Sequence, residues 1–250
     1  MKILPAAQND VPQLISLWME AFGEEKEEVL PFFREIFPLC RPFCVKDGDT
    51  VCAMAYALPQ TMHTPHGDLP MAYFYAVATK KEYRGKGLAS KLLDGMAATL
   101  QKEGFAGVLL VPANLPLFEF YAKCGFAPFS YRAFATVTAS DAPAQELSAA
   151  EYAALRKTYL PGIHNVPPAA VLEHLRRFSF PGGCAAAEKT ERGIILREIL
   201  GDIAQVGGVV AAMGEADAKV HLPTGETPYA VCRPLTEDFP KEGYFAFAME

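Results

Sequence analysis

Apolar and polar residues form two kinds of pattern in the first half of the chain, one with helical spacing and one of extended apolar runs. Where apolar residues recur at helical spacing they predict helices, over about 10–22, 24–36, 87–102 and 115–123. Extended apolar runs predict strands, at 2–5, 43–46, 51–57, 71–79, 108–111 and 131–137. Asp47-Gly48-Asp49 joins two of these strands into a hairpin. The order of elements predicts an α/β protein in which a strand leads into a helix near residue 87.

The second half of the chain has a different order of elements. Helical patterns and extended runs are predicted as follows: helices at about 148–159, 167–178 and 202–213, strands near 184–188 and 193–200, and three short extended runs towards the end. Small and turn-forming residues without periodicity lie between Ala139 and Ala144. We therefore place a linker at 139–145, between a first domain at 1–138 and a second at 146–250.

Composition narrows the class of protein. Hydrophobic residues at 51% and charged residues at 21% are typical of a folded globular chain. The longest apolar stretches, such as 51–59, are about half as long as a membrane crossing needs. The start lacks the apolar core of a secretory signal, so we expect a cytoplasmic protein without a membrane span. No Cys-x-x-Cys or His-Glu-x-x-His occurs, so we expect reduced, buried thiols and no metal site.

Charge is unevenly distributed along the chain. The net charge of −6 opposes a nucleic-acid partner, whose binding rests on neutralising phosphates. Five cations nevertheless cluster against the single acid Glu82, at Lys80, Lys81, Arg84, Lys86 and Lys91. Such a cluster on an acidic chain favours one small anionic ligand, although a solvated surface face gives the same pattern.

The junction between the strand at 71–79 and the helix at 87–102 carries the strongest chemical signal. The free N–H groups of a first helical turn lie at the positive end of the helix dipole and bind anions. Gly85 and Gly87 allow a pyrophosphate to approach the main chain. Neither Gly-x-x-x-x-Gly-Lys-Ser/Thr nor Gly-x-Gly-x-x-Gly fits this stretch. The pattern present, Arg84-x-x-Gly87-x-Ala89, resembles the Arg/Gln-x-x-Gly-x-Gly/Ala signature of the GNAT acetyltransferases.

A second stretch resembles the same family. Asn114 is followed seven residues later by Tyr121 and then by Gly125-Phe126, as in the family's segment after the fifth strand. Both elements occur in the family order, and with the hairpin and the early helices the resemblance covers residues 2 to about 138. It implies the GNAT fold, an α/β (α+β) architecture with a central mixed, splayed sheet flanked by helices. The sequence departs from the pattern at Lys81, where many relatives carry a proline that shapes the turn.

The resemblance implies acetyl-CoA as cosubstrate, lying between the two splayed strands near 71–79 and 108–111. The backbone of Val77 and Thr79 would bind the pantetheine arm. The amides of 84–89 would bind the pyrophosphate. Asn114 would meet the arm from the other side, unless it is a simple turn residue. The residues predicted to bind the cofactor are Val77, Ala78, Thr79, Arg84, Gly85, Lys86, Gly87, Leu88, Ala89, Ser90, Asn114 and Phe118.

The predicted chemistry is direct attack of an amine on the thioester. Tyr121 matches the family tyrosine that protonates the departing thiolate, and would be the catalytic general acid. Its alternative role is packing in the core. The sequence does not identify a general base: the candidates are Tyr73 and Tyr75 on the central strand, His63 and His66 in the loop before it, and water.

The second half resembles the degenerate GNAT-like domain of the enhanced-intracellular-survival type of acetyltransferase, without the third, sterol-carrier-like domain. It carries no cofactor motif, so we expect it to form one wall of the acceptor pocket, with His164-Asn165 and 215–217 as nearby polar groups. The resulting hypothesis is an N-acetyltransferase acting on a primary amine of a small molecule or peptide. The alternative is a catalytically silent acyl-CoA-binding regulatory module. Homo-oligomerisation is left open.

Overall fold

Twelve β-strands run through residues 2–160, 162–190 and 193–247, which this computed structural model describes. Their bounds are β1 Lys2–Pro5, β2 Arg41–Asp47, β3 Thr50–Thr64, β4 Gly67–Thr79, β5 Gly107–Leu110, β6 Ala127–Thr138, β7 Gln145–Leu147, β8 His164–Val166, β9 Arg176–Phe180, β10 Gly183–Thr190, β11 Gly193–Gly201 and β12 Asp217–Pro234. The α-helices of the same residues are α1 Val11–Phe22, α2 Lys26–Pro31, α3 Leu88–Lys102, α4 Leu115–Lys123, α5 Ala149–Tyr159, α6 Ala169–Glu173 and α7 Gly207–Ala212.

Three of the four helices predicted for the first half lie close to their predicted bounds, whereas the helix predicted at 24–36 is α2 followed by a π-helix at Phe32–Ile36. The helix predicted at 87–102 is α3, whose buried face is its periodic apolar stripe, Leu88, Leu92, Leu93, Met96, Ala97 and Leu100. The predicted hairpin is formed by β2 and β3. β3 is longer than its predicted core: it is buried on both faces from Val51 to Leu58, and buried and half-buried positions alternate from there to Thr64.

Three predictions for the second half are wrong. The helix predicted at 167–178 ends at Glu173, and β9 follows because Arg176–Phe180 alternates buried and less buried positions and pairs with β10. The helix predicted at 202–213 is limited to α7, preceded by a 3₁₀ turn. The three short extended runs are one strand, β12, which tolerates its prolines and glycine through shifts of register against β6.

All twelve strands belong to one mixed sheet, in the order β1-β2-β3-β4-β5-β12-β11-β10-β9-β7, with β6 on β12 and β8 on β3. β12 connects the two halves, because it pairs antiparallel with β5 and β6 and parallel with β11. Strand 217–234 therefore completes the sheet begun by the first half. The boundaries of the two domains stay a prediction, although the sheet is continuous across them.

The segment predicted as a linker lies against the second half. Ala139 N donates to Ala216 O at 2.9 Å, and Ser140 N donates to Gly207 O at 3.1 Å. A Cβ at Gly207 would lie 2.6 Å from the Ser140 hydroxyl, so the glycine permits this close approach. Within the described residues, no helix is long and apolar enough to cross a membrane. Nor do those residues bring together three potential metal ligands.

Candidate active site

A cleft opens where β4 and β5 separate. The two parallel strands pair only from Met71 to Tyr73 on β4, while β4 continues to Thr79. The space between them has a volume of about 470 Å³. We call this space the cleft. It is lined by Trp18, Phe22, Glu24, Tyr73, Phe74, Tyr75, Ala76, Val77, Leu110, Val111, Pro112, Ala113, Leu117, Tyr121, Phe134, Pro228 and Tyr229.

A β-bulge lies on the β4 side of the cleft. Tyr56 pairs with Tyr75 and Met54 with Ala78, so Ala76 and Val77 together oppose one residue of β3. Ala76 has a φ of 49°, a conformation that residues other than glycine rarely adopt. A bulge interrupts the ladder and leaves the extra residue unpaired. It therefore places backbone polar groups at the cleft wall that are not committed to the neighbouring strand.

The start of α3 has the geometry of an anion site. Gly85 and Gly87 have φ values of 74° and 71°, which glycine adopts without strain. Gly87 is the N-cap, and no side chain of the described residues caps the helix. The first-turn N–H groups thus lack intrahelical partners and can bind a ligand. Arg84 to Gly87 are exposed, Leu88 is buried, and Ala89 and Ser90 are half-buried.

The cations around this turn are only partly committed to other groups. Arg84 Nε donates to Thr79 O at 2.9 Å, which fastens the loop to the end of β4. Lys80 forms an ion pair with Glu82 at 3.0 Å. Lys86 Nζ lies 4.8 Å from the centre of the Tyr83 ring. The basic cluster therefore surrounds the helix start on its exposed side.

The three predicted residues at the end of β4 differ in environment. Val77 lines the cleft. Ala78 is buried in the ladder with β3. Thr79 accepts the Arg84 bond on its carbonyl, and its Oγ1 is buried without a hydrogen-bond partner among the described residues. A buried hydroxyl without a partner is unfavourable, so this atom suits a ligand that brings one.

Tyr121 lies in the cleft, as the general-acid prediction requires. It is 7% exposed, and its ring packs edge-on against Phe120 and Phe126 at centroid distances of 5.1 and 5.8 Å. Burial, reinforced by the nearby Cys124 thiol, raises the pKa of Tyr121 to about 12. The phenol therefore keeps its proton at neutral pH. Its role as general acid stays a prediction.

Two other predicted residues lie outside the lining. Asn114 is the N-cap of α4, and its Oδ1 accepts a bond from Leu117 N at 3.3 Å, although its neighbour Ala113 lines the cleft. Phe118 packs against the apolar cluster behind the cleft. The structure thus gives both residues a role in the fold, and their contact with the cofactor stays a prediction.

The candidate bases separate into two groups. Tyr73 and Tyr75 both line the cleft, with ring centroids 6.0 Å apart. His63 is in β3, not in a loop as predicted, and its Nδ1 lies 2.7 Å from Oδ1 of Asp68. His66 is in the turn between β3 and β4. Neither histidine lines the cleft, so the geometry favours the tyrosines over the histidines.

Several lining residues were not predicted from the sequence. Glu24 accepts a bond from Trp18 Nε1 at 3.0 Å, and it is the carboxylate among the described residues that line the cleft. Phe134 comes from β6, while Pro228 and Tyr229 come from β12. The sequence signal available for Trp18 and its partner Glu24 was a lone tryptophan in the second half of an amphipathic helix. No local signal marks the others, because strand pairing over long range brings them to the cleft.

The second half therefore reaches the cleft, but through other residues than those expected. Asn165 and His164 are buried, at 0% and 2% exposure, and neither lines the cleft. Residues 215–217 do not line it either. Tyr229 lies under the Arg132 guanidinium, which stacks on its ring. The prediction that these polar groups lie near the acceptor pocket is therefore wrong for this cleft.

Comparison with known proteins adds a family and a fold. The model of the acetyltransferase (GNAT) domain matches residues 2–129. No curated protein matches the sequence. Among solved structures, a GCN5-related N-acetyltransferase from Kribbella flavida is 15% identical with a TM-score of 0.72, covering 94% of this chain and 72% of its own.

Two further structures are similar over the same share of this chain. A GCN5-related N-acetyltransferase from Anabaena variabilis ATCC 29413 is 15% identical, with a TM-score of 0.71 and 73% of its own chain covered. Eis1 from Mycobacterium abscessus is 10% identical, with a TM-score of 0.65, and 94% of this chain and 74% of its own are covered. At these identities the likeness concerns the fold, which confirms the predicted mixed α/β architecture.

Proposed function

The chain belongs to the GNAT family of acetyltransferases, and from that premise we propose that it transfers an acetyl group from acetyl-CoA to a primary amine of a small molecule or peptide. The family is one of acyltransferases, so the chain is an enzyme of that class. One observation carries the finer proposal: the cleft lies at the end of β4 that leads into the uncapped, glycine-bearing start of α3.

The residues present fit the donor. The pyrophosphate would bind to the first-turn amides of α3, where Gly85 and Gly87 leave open space. The pantetheine arm would follow the free edge of β4, where the bulge at Ala76 and Val77 offers backbone groups. The unpartnered Thr79 hydroxyl is a further group that a polar arm can satisfy. Together these features support acetyl-CoA as the cosubstrate.

The proposed reaction forms a carbon–nitrogen bond and breaks a carbon–sulfur bond. The neutral amine attacks the thioester carbonyl, and the thiolate leaves with the proton of Tyr121. The thiolate would emerge in the same cleft as the phenol of Tyr121, which is buried there. The proton that the amine loses passes to Glu24 or, through Tyr73 or Tyr75, to water.

The second half enters the proposal as one wall of the acceptor side. Pro228 and Tyr229 of β12 line the cleft beyond the end of β5, which supports this role. The second half carries no GNAT cofactor motif of its own. We therefore assign one donor site to the chain, and a two-domain arrangement of the enhanced-intracellular-survival type.

The test is release of CoA from acetyl-CoA, followed with a thiol reagent across a panel of amines. Tyr121→Phe should lower kcat roughly 10- to 1,000-fold and leave acetyl-CoA affinity nearly intact. Tyr131→Phe, on the exposed side of β6, is the matched control and should change neither. Absence of acetyl-CoA binding in both calorimetry and thermal shift overturns the proposal, whereas binding without any turnover points to the regulatory module.

A further inference from the structure

A second cavity lies on the other side of Tyr75. It has a volume of about 250 Å³ and is built from both halves of the chain. Its lining residues are Pro31, Phe32, Glu35, Ile36, Tyr75, Val171, His174, Leu175, Glu188, Arg197 and Phe247. Tyr75 also lines the cleft, so one side chain borders both spaces. We call this space the side cavity.

The floor of the side cavity is apolar. Ile36, Val171 and Phe247 are buried, at 6%, 7% and 4% exposure. Phe32 and Tyr75 add aromatic rings whose centroids are 5.5 Å apart. Apolar surface of this kind binds apolar groups, because both leave water on contact.

The charged residues of the side cavity are paired with each other. Glu35 lies 3.3 Å from His174, and both side chains are nearly half exposed. Glu188 forms an ion pair with Arg197 at 2.6 Å. A ligand with several positive charges would have to displace these partners to find a carboxylate, which removes most of its electrostatic gain.

The volume adds a limit on size. Cavities that hold drug-sized ligands measure about 300–1,000 Å³, and the side cavity lies just below that range. A single ring or a short branched chain fits such a space, whereas a molecule of several sugar rings does not. The volume and the apolar lining thus both favour a single ring or a short branched chain.

We propose that the side cavity binds the apolar body of the acceptor, an amine that carries one aromatic ring or one branched aliphatic chain, and that the amino group passes Tyr75 into the cleft. The inference rests on the proposed function, because it assigns the amine to that same acetyl transfer. It predicts kcat/KM at least tenfold higher for 2-phenylethylamine and 3-methylbutylamine than for ethanolamine or spermidine.

The chain contains its own reporter of binding. Trp18 is the single tryptophan, and its ring lies 4.7 Å from Phe32 and 5.4 Å from Tyr75, centroid to centroid. In protein saturated with CoA, 2-phenylethylamine should produce a saturable change in tryptophan fluorescence, and ethanolamine should not. This measurement needs no acetyl transfer, so it separates amine binding from catalysis; because Trp18 also lines the cleft, the substitutions in the side cavity show which space the amine occupies.

Substitutions in and beside α6 test the location. Val171→Phe fills the floor, so it should weaken the binding of phenylethylamine at least tenfold, in both Kd and KM, with acetyl-CoA affinity unchanged. Ala170→Phe, the neighbouring residue of the same helix outside the lining, is the matched control. Should Val171→Phe fail to fold, Leu175→Ala provides a second test: it enlarges the cavity and should shift the preference towards an amine with two fused rings, such as tryptamine.

The outcomes separate this inference from the proposed function. Transfer to ethanolamine or spermidine as efficient as to 2-phenylethylamine, and insensitive to Val171→Phe and Leu175→Ala, overturns the side cavity and leaves acetyl transfer intact. A fluorescence change with 2-phenylethylamine that Val171→Phe abolishes, without CoA release from any amine, supports the occupant and overturns the transfer. The absence of both a fluorescence change and an effect of the variants on KM overturns the inference.

Discussion

The proposed site has two sides, the start of α3 beyond the end of β4 and the β12 wall of the cleft, and different kinds of interaction hold them in place. The α3 side, residues 84–90, is one continuous and largely exposed stretch whose shape depends on two glycine conformations. The β12 side, Phe134, Pro228 and Tyr229, comes from two strands that are distant in sequence. The first side is therefore decided by local backbone geometry, and the second by strand pairing across the whole chain.

This difference separates binding from folding. On the α3 side, side chains introduced at Gly85 or Gly87 meet open space, so these substitutions should change ligand affinity more than stability. The β12 side belongs to a strand that pairs with β5, β6 and β11, so damage there removes structure from both halves. Substitutions on the two sides should therefore give different combinations of lost affinity and lost stability.

The largest effect is expected from ending the chain at residue 138. Without β12, β5 keeps only its short pairing with β4, and β6 loses its partner along its whole length. Such a chain should show no cooperative thermal transition by circular dichroism and no acetyl-CoA binding. The control is the full chain cut within 141–144, which keeps β12 and should retain both. A cooperative, cofactor-binding 1–138 fragment would show that the contrast is wrong.

On the α3 side, Gly87→Val should abolish acetyl-CoA binding, with a loss of affinity of at least 100-fold. The φ of 71° at the N-cap is strained for a β-branched residue, so the first turn must shift away from the geometry that presents its amides. Isothermal calorimetry measures the affinity directly.

Gly104→Val is the matched control for that substitution. Gly104 follows the other end of α3, has a φ of 90°, and a Cβ there would also meet open space. Both variants should lose similar stability from backbone strain, and only Gly87→Val should lose the cofactor. Equal loss of affinity in the two would assign the effect to the helix as a whole.

The same contrast explains how much of the molecule the sequence predicts. The helix at 87–102 and the position of Tyr121 follow from patterns within about fifteen residues, so both could be predicted locally. β12 could not, because Pro223 and Pro228 are typical of strand ends and its continuity depends on shifts of register against β6. The helix predicted at 167–178 runs into β9 because so short a segment does not distinguish the two periods.

The site divides in the same way. Gly85 and Gly87 were found because a backbone conformation that favours glycine is visible in the sequence as the glycine itself. Glu24 and Tyr229 carry no such signal, since their place at the cleft depends on how α1 and β12 pack. Asn114 was found by its spacing, but the structure uses its side chain to cap α4, a role that the same spacing also fits.

On the β12 side, Tyr229→Leu should lower kcat/KM for the acceptor about tenfold while the Kd of acetyl-CoA changes no more than about twofold. The ring lines the cleft and lies under Arg132, so its loss reshapes the wall without touching the start of α3. Tyr131→Leu on neighbouring β6, where the ring is 42% exposed, is the control. If the Kd of acetyl-CoA rose together with the loss of acceptor turnover, the two sides of the site would not act independently.

The smallest effect concerns His221, in the β12 segment that pairs with β6. Its imidazole is 8% exposed and packs edge-on against Phe134 at 5.0 Å. Arg132 Nη1 donates to its Nδ1, so the neutral ring is the form that fits. Burial first, and then the Arg132 and Arg197 charges, lower the pKa of His221 to about 3.

The sign of the resulting pH dependence follows from the two pKa values. An unfolded histidine titrates near pH 6.5, so between about pH 6.5 and pH 3 the unfolded chain binds a proton that the folded chain does not. The free energy of unfolding should therefore fall as the pH falls through this window. His221→Asn keeps an acceptor for Arg132 but does not titrate, so urea unfolding should show the variant gaining stability relative to the parent protein between pH 7 and pH 4. If the stability of His221→Asn and of the parent changed in parallel between these pH values, β12 would hold no buried neutral imidazole at residue 221.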